Sequence, residues 1–146
     1  MAIWHGSPDL DLLNGYASRD MTGRMGMVYT EIGDDYLRAR IPVTDDWRQA
    51  YGLWHGGASC VVSESMGSVG TSLCLDSERE YCVGVEINAS HMRSATRGHV
   101  TAEARPIKLG RNLHVWETRL WNDQDKLMCV SRLTTSIIAG GPPVTG

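Results

Sequence analysis

The stretch Gln49 to Leu75, QAYGLWHGGASCVVSESMGSVGTSLCL, constrains this chain more than any other. After the pair Gly56-Gly57 it continues without proline and with a single strong charge, Glu64. Its apolar positions Ala58, Val61, Val62, Met66, Val69 and Leu73 recur at spacings near three and four, which predicts a helix. Such a helix would be about 27 Å long, the width of a small domain, so it is expected to cross the core. Its interior holds Ser59, Ser63, Ser65, Gly67, Ser68, Gly70, Thr71 and Ser72, residue types that weaken an isolated helix. Small side chains let other backbones approach, which points to a helix wrapped by a sheet with a second copy nearby. Glu64 and Ser68 share one face of it. A carboxylate on a largely apolar rod is costly to bury unless it is hydrogen-bonded or used.

Around this helix the chain reads as strands. Met25–Glu31 and Tyr36–Val43 form a candidate pair joined by Gly33-Asp34-Asp35, after a short helix begun by Ser7-Pro8-Asp9 and ended by Asn14-Gly15. Beyond the helix come Tyr81–Met92, His99–Lys108, Leu113–Trp121 and Lys126–Ile138. The turns between them, at Arg97-Gly98, Gly110-Arg111-Asn112 and Asn122–Asp125, are short, and short turns imply antiparallel neighbours. The expected class is α+β, with an antiparallel sheet of roughly six strands covering one long helix. Residues 1–139 are expected to make one domain and the tail 140–146 to be mobile. Such a sheet has strand edges to protect, and association into homo-oligomers is the economical way to do so.

With 21% charged residues and a net charge of −3, the chain lacks the basic excess of a nucleic-acid-binding protein. No apolar run reaches the length of a membrane span, and the start lacks a signal-peptide pattern, so a cytosolic protein is expected. The cysteines Cys60, Cys74, Cys82 and Cys129 lie singly in apolar segments and are expected to be reduced. The histidines His5, His55, His91, His99 and His114 show no metal-ligand spacing, and neither a metal nor a cofactor is expected.

His55-Gly56-Gly57 precedes the first turn of the helix, where backbone N–H groups lack partners and sit in positive potential. That suits a phosphate, or a carbonyl oxygen gaining charge during acyl transfer; it also suits a plain structural turn. Glu64 can likewise be a satisfied core carboxylate or a reacting one, and Glu86 is its rival. A second group, His91, Arg93 and Ser94, with Arg111 in a later turn, offers phosphate contacts, or merely keeps a strand edge soluble. Arg97 and Lys108 are weaker candidates of the same kind.

Taken together, GDD at Gly33–Asp35, GLWHGGAS at Gly52–Ser59, ESMGS at Glu64–Ser68, VGVEINASHMRSA at Val83–Ala95 and LGRN at Leu109–Asn112 resemble the hotdog-fold acyl-CoA thioesterases of the PaaI-like, 4-hydroxybenzoyl-CoA thioesterase type. The resemblance runs from about Met21 to Ile138. It is strongest to the branch acting on 1,4-dihydroxy-2-naphthoyl-CoA and to the proofreading thioesterases of enterobactin synthesis. It implies that Glu64 is the catalytic carboxylate, as nucleophile or as general base, and that the Gly56 N–H polarises the thioester carbonyl. It further implies that His55 and Gln49 position the thioester or water, that Ser68 assists Glu64, and that the site spans a dimer interface.

His91, Arg93, Ser94 and Arg111 would contact the coenzyme A nucleotide. The expected activity is hydrolysis of an acyl-CoA to free acid and CoA, with coenzyme A present only as part of the substrate. Aromatic acyl groups are favoured, and Trp47, Tyr51 and Trp54 either stack on a ring or pack in the core. A carrier-protein thioester is a further possible substrate, and a homodimer or dimer of dimers the expected assembly. A non-catalytic acyl-CoA or acyl-carrier binding protein, or a hydratase, on the same fold are the competing readings; retention of Glu64 argues against the first, and the lack of a histidine-aspartate pattern against the second.

Overall fold

The computed structural model describes residues 1–142. Six strands, β1 (Val28–Ile32), β2 (Leu37–Pro42), β3 (Glu80–His91), β4 (His99–Leu109), β5 (Leu113–Asn122) and β6 (Leu127–Ala139), make one antiparallel sheet in the order β1-β2-β4-β5-β6-β3. The long helix α3 (Gly56–Cys74) packs across β3, β6, β5 and β4. This is the hotdog arrangement. The tail's expected mobility falls largely on 143–146, outside the described residues, whereas the Gly140 N–H is held by the Arg79 carbonyl at 2.7 Å.

The small residues of α3 are explained by what lies under them. A methyl on Gly70 would meet the Trp116 ring at 2.8 Å, and one on Gly67 would meet Leu133 Cδ2 at 2.6 Å. Each glycine costs the helix about 1 kcal/mol relative to alanine, while burying a large apolar side chain returns about 1.5–3 kcal/mol, so close packing wins. Thr71 is held by hydrogen bonds: the Trp116 indole N–H donates to its Oγ1 at 2.9 Å, and its hydroxyl pairs with Thr135 at 2.9 Å.

Three local expectations are corrected. The first helix, α1 (Leu10–Ala17), is capped by Asp9 and runs through Asn14-Gly15, because the Asn14 amide bonds both backbone groups of Tyr29 instead of ending the helix. A second helix, α2 (Met21–Arg24), capped by Asp20, displaces the start of the first strand to Val28. The turn at Arg97-Gly98 does not join neighbours: among the described residues β3 pairs only with β6, and β4 lies between β2 and β5. Residues 92–98 cross from one to the other past the start of α3. The Trp54 N–H donates to Ala95 O at 2.8 Å, Arg48 Nη2 to Thr96 O at 2.6 Å, and the Val43 N–H to Gly98 O at 2.8 Å.

β3 carries a bulge at Val85, where the pairing with β6 shifts between Gly84 and Glu86. Gly84 pairs with Thr135, Ile87 with Leu133, and His91 with Cys129. Thr135, Leu133 and Cys129 are buried, so Gly84 and His91 both face the helix, although they lie an odd number of residues apart. Regular alternation would have turned one of them outward.

Burial of His114 in β5 holds its imidazole below the usual histidine value, against a smaller opposing pull from Glu80. The unfolded chain then takes up the proton first as pH falls through about 6.5, so this contribution to stability is complete above that pH and is lost below it. Tm should therefore decline between pH 7 and 5.5. His114→Gln should flatten that part of the profile, and an unchanged slope in that variant would exclude His114 as its source.

Candidate active site

His55 is the N-cap of α3, and its Nδ1 accepts the Gly57 N–H at 2.8 Å. With Nδ1 accepting, Nε2 is the ring nitrogen left to donate, and the residue is exposed. The Gly56 N–H makes no hydrogen bond among the described residues and stands at the positive end of α3. A methyl on Gly56 would come within 3.1 Å of His91 Nε2. His91, read from sequence as a nucleotide contact, thus lies directly over the helix start.

Gln49 stands across the same opening. Its Oε1 accepts the Tyr51 N–H at 2.6 Å, leaving the amide nitrogen to donate. Gly52, with φ of 78°, closes this turn in a conformation that favours glycine. Gln49, Gly56, His91, Arg93 and Ser94 line one open cavity of about 300 Å³. Ser94 turns its hydroxyl back toward the Trp54 carbonyl at 3.5 Å, so it serves the crossover more than the cavity.

The crossover of residues 92–98 is what assembles this group. In sequence, Arg97-Gly98 reads as a short turn between antiparallel neighbours, and no local signal marks a crossing.

Glu64 lies elsewhere. It is half-buried on α3, accepts a long hydrogen bond from Ser68 Oγ at 3.4 Å, and rests on the backbone of Gly84 in β3. No cation pairs with it among the described residues. At 1.5 Å per residue it is about 12 Å along the helix from Gly56, too far for both to touch one carbonyl carbon and its oxygen. The rival Glu86 is exposed, lies beyond the bulge on the opposite face of the sheet, and is bonded by Asn88 at 3.3 Å.

Two placements bear on the binding groups. Arg111 is in the β4–β5 turn, at the far end of the sheet, about 25 Å along the strands from Arg93 of the same chain. Trp47 and Trp54 are only 1% and 5% exposed and stack on each other with centroids 5.4 Å apart. Their indole N–H groups donate to Met25 O and Ser59 Oγ, so they belong to the core; Tyr51, 89% exposed, is the free aromatic. No cluster of three or more His, Cys, Asp or Glu suited to a metal occurs among the described residues, nor does a helix long and apolar enough to cross a membrane.

Comparison with known proteins agrees with this architecture. The family model described as Thioesterase superfamily matches residues 51–129, which include the helix start, Glu64 and His91. The 1,4-dihydroxy-2-naphthoyl-CoA hydrolase of Escherichia coli is 42% identical over 93% of this chain and 99% of its own. The proofreading thioesterase EntH of Cronobacter sakazakii is 38% identical over 93% of this chain and 98% of its own. A crystallised variant of the thioesterase PA1618 of Pseudomonas aeruginosa superposes with a TM-score of 0.92 at 41% identity, covering 94% of this chain and 99% of that one. On fold, motif and similarity alike, the chain belongs to the thioesterase superfamily and is a thioester hydrolase of hotdog architecture.

Proposed function

We propose that the protein hydrolyses aromatic acyl-CoA esters at a site completed by two subunits. The observation carrying this reading is the separation of Glu64 from Gly56 on one helix, combined with the open edge of β3. In an antiparallel pairing of two β3 edges about a twofold axis near Asn88, Gly84 of one copy stands level with His91 of the other. Glu64 of the partner subunit would then face the Gly56 N–H of this one. Val83 and Val85, 44% and 60% exposed on β3, would be covered in such a dimer. The same operation brings Arg111 of the partner subunit to the end of the sheet that carries Arg93.

In this arrangement the thioester carbonyl oxygen accepts the Gly56 N–H, and the helix start stabilises the negative charge as the tetrahedral centre forms. Glu64 either takes a proton from water as it attacks or itself attacks the carbonyl carbon. Gln49 and His55 orient the thioester or water, and Ser68 holds Glu64. Collapse breaks the C–S bond and expels the thiolate of CoA. With water as nucleophile the acid is released directly; with Glu64 as nucleophile a water then cleaves the Glu64–acyl anhydride, releasing the acid and restoring the carboxylate. Support for an aromatic acyl group comes from the relative named for 1,4-dihydroxy-2-naphthoyl-CoA and from the exposed Tyr51, two residues from the cavity-lining Gln49. The open cavity also leaves room for the pantetheine arm of a carrier protein. Four free cysteines favour a cytosolic location.

The test is thiol release by the purified protein from benzoyl-, naphthoyl-, phenylacetyl- and medium-chain acyl-CoAs. Higher kcat/KM for the aryl esters is expected, and preference for the medium chains would overturn the aromatic reading. Arg93→Ala should raise KM for a full CoA ester by about tenfold and affect the pantetheine thioester much less, since only the former carries the nucleotide phosphates. Equal losses on both substrates would leave Arg93 with a structural role.

A further inference from the structure

We infer that Gly84, together with the bulge at Val85, is a positioning element for the Glu64 carboxylate. This inference rests on the proposed catalytic role of Glu64. A methyl group built on Gly84 would fall on Glu64 Oε1 and lie 3.2 Å from its Cδ and 3.4 Å from Oε2. The carboxylate therefore occupies the space that any side chain at position 84 would need. On its other side Ser68 Oγ donates to Oε1 from the next turn of α3. Glu64 is confined between the strand backbone and Ser68, with no cation to fix it among the described residues.

The bulge makes this confinement compatible with the rest of the site. His91 must face α3 to lie over Gly56, and Gly84 must face α3 to lie under Glu64, yet they are an odd number of residues apart in one strand. The extra residue, Val85, changes the phase of the alternation between them. One irregularity in β3 thus brings both halves of the machinery to the same face. Its sequence trace is slight: a lone glycine in a strand, which marks either a bulge or a close approach, and here marks both.

The atom that an alanine at position 84 would meet is the end of a flexible side chain. The carboxylate should move aside and the fold should persist, which separates this role from a structural one. Gly84→Ala should keep Tm within about 3 °C of the wild type while kcat falls at least about tenfold with KM little changed, as expected for a displaced reacting group.

A double-mutant cycle removes the remaining ambiguity. In a Glu64→Ala background, Gly84→Ala should change neither the residual turnover nor Tm, because the three atoms nearest the methyl all belong to the Glu64 carboxylate and are then gone. A Gly84→Ala enzyme with wild-type kcat overturns the inference, and so does a loss of Tm that is equal with and without Glu64. The proposed function fails by a different result, undiminished turnover in Glu64→Ala alone.

Discussion

Glu64→Ala, and equally Glu64→Gln, should lower kcat on the best acyl-CoA by at least about 10²-fold while the protein stays folded. Loss of a group that acts on the reacting atoms raises the barrier to the chemical step and leaves ground-state binding largely alone, so KM should change little. Folding should tolerate the change because Glu64 has no ion-pair partner among the described residues that would be stranded by its removal. Glu86→Gln supplies the control from the opposite face of the sheet and should keep near wild-type turnover. Near wild-type kcat in Glu64→Ala would end the assignment.

A second large effect is expected from mixing two inactive proteins. If Glu64 of one subunit serves the helix start of the other, a dimer of one Glu64→Ala chain and one His55→Ala chain has one site with both lesions and one with neither. Co-expressed or exchanged subunits should then regain activity from almost none to about half of the wild-type value per hybrid dimer. Native mass spectrometry would count the hybrids. Hybrids without recovered turnover would exclude a shared site, as would full activity in a demonstrated monomer.

The long helix and the last four strands were legible because their signals are local and long: a proline-free run with spacing near three and four, then alternating segments divided by turn residues. The helix is Gly56–Cys74, and the strands begin and end within a residue or two of the sequence reading. Asn14-Gly15 misled because a side chain that bonds a distant strand looks, in sequence, like one that ends a helix. The crossing of residues 92–98 was illegible for another reason. A seven-residue connection suits a hairpin as well as a passage beneath a helix, and only the completed sheet decides between them.

The candidate site divides in the same way. Motif resemblance could bring Glu64, Gly56, His55, Gln49 and Ser68 together by name, but not reveal that Glu64 and Gly56 stand too far apart on one chain. Nor could it separate Arg111 from Arg93, since the distance between them depends on strand direction. For Trp47 and Trp54 sequence leaves ligand stacking and core packing equally open, and the partners found by both indole N–H groups decide for the core.

The glycines of α3 limit how this protein can change. Glycine to alanine in a helix is an ordinary route to greater stability, yet at Gly67 and Gly70 the new methyl would collide with Leu133 and Trp116. Neither position can be improved alone; a larger residue on the helix requires a smaller one on the sheet at the same time. Among related sequences, positions 67 and 133, and 70 and 116, should therefore vary together in volume. In the unfolded chain the same glycines leave the segment little tendency to coil by itself, so the helix should form only as the strands close over it, and helical signal and sheet protection should appear in a single kinetic phase.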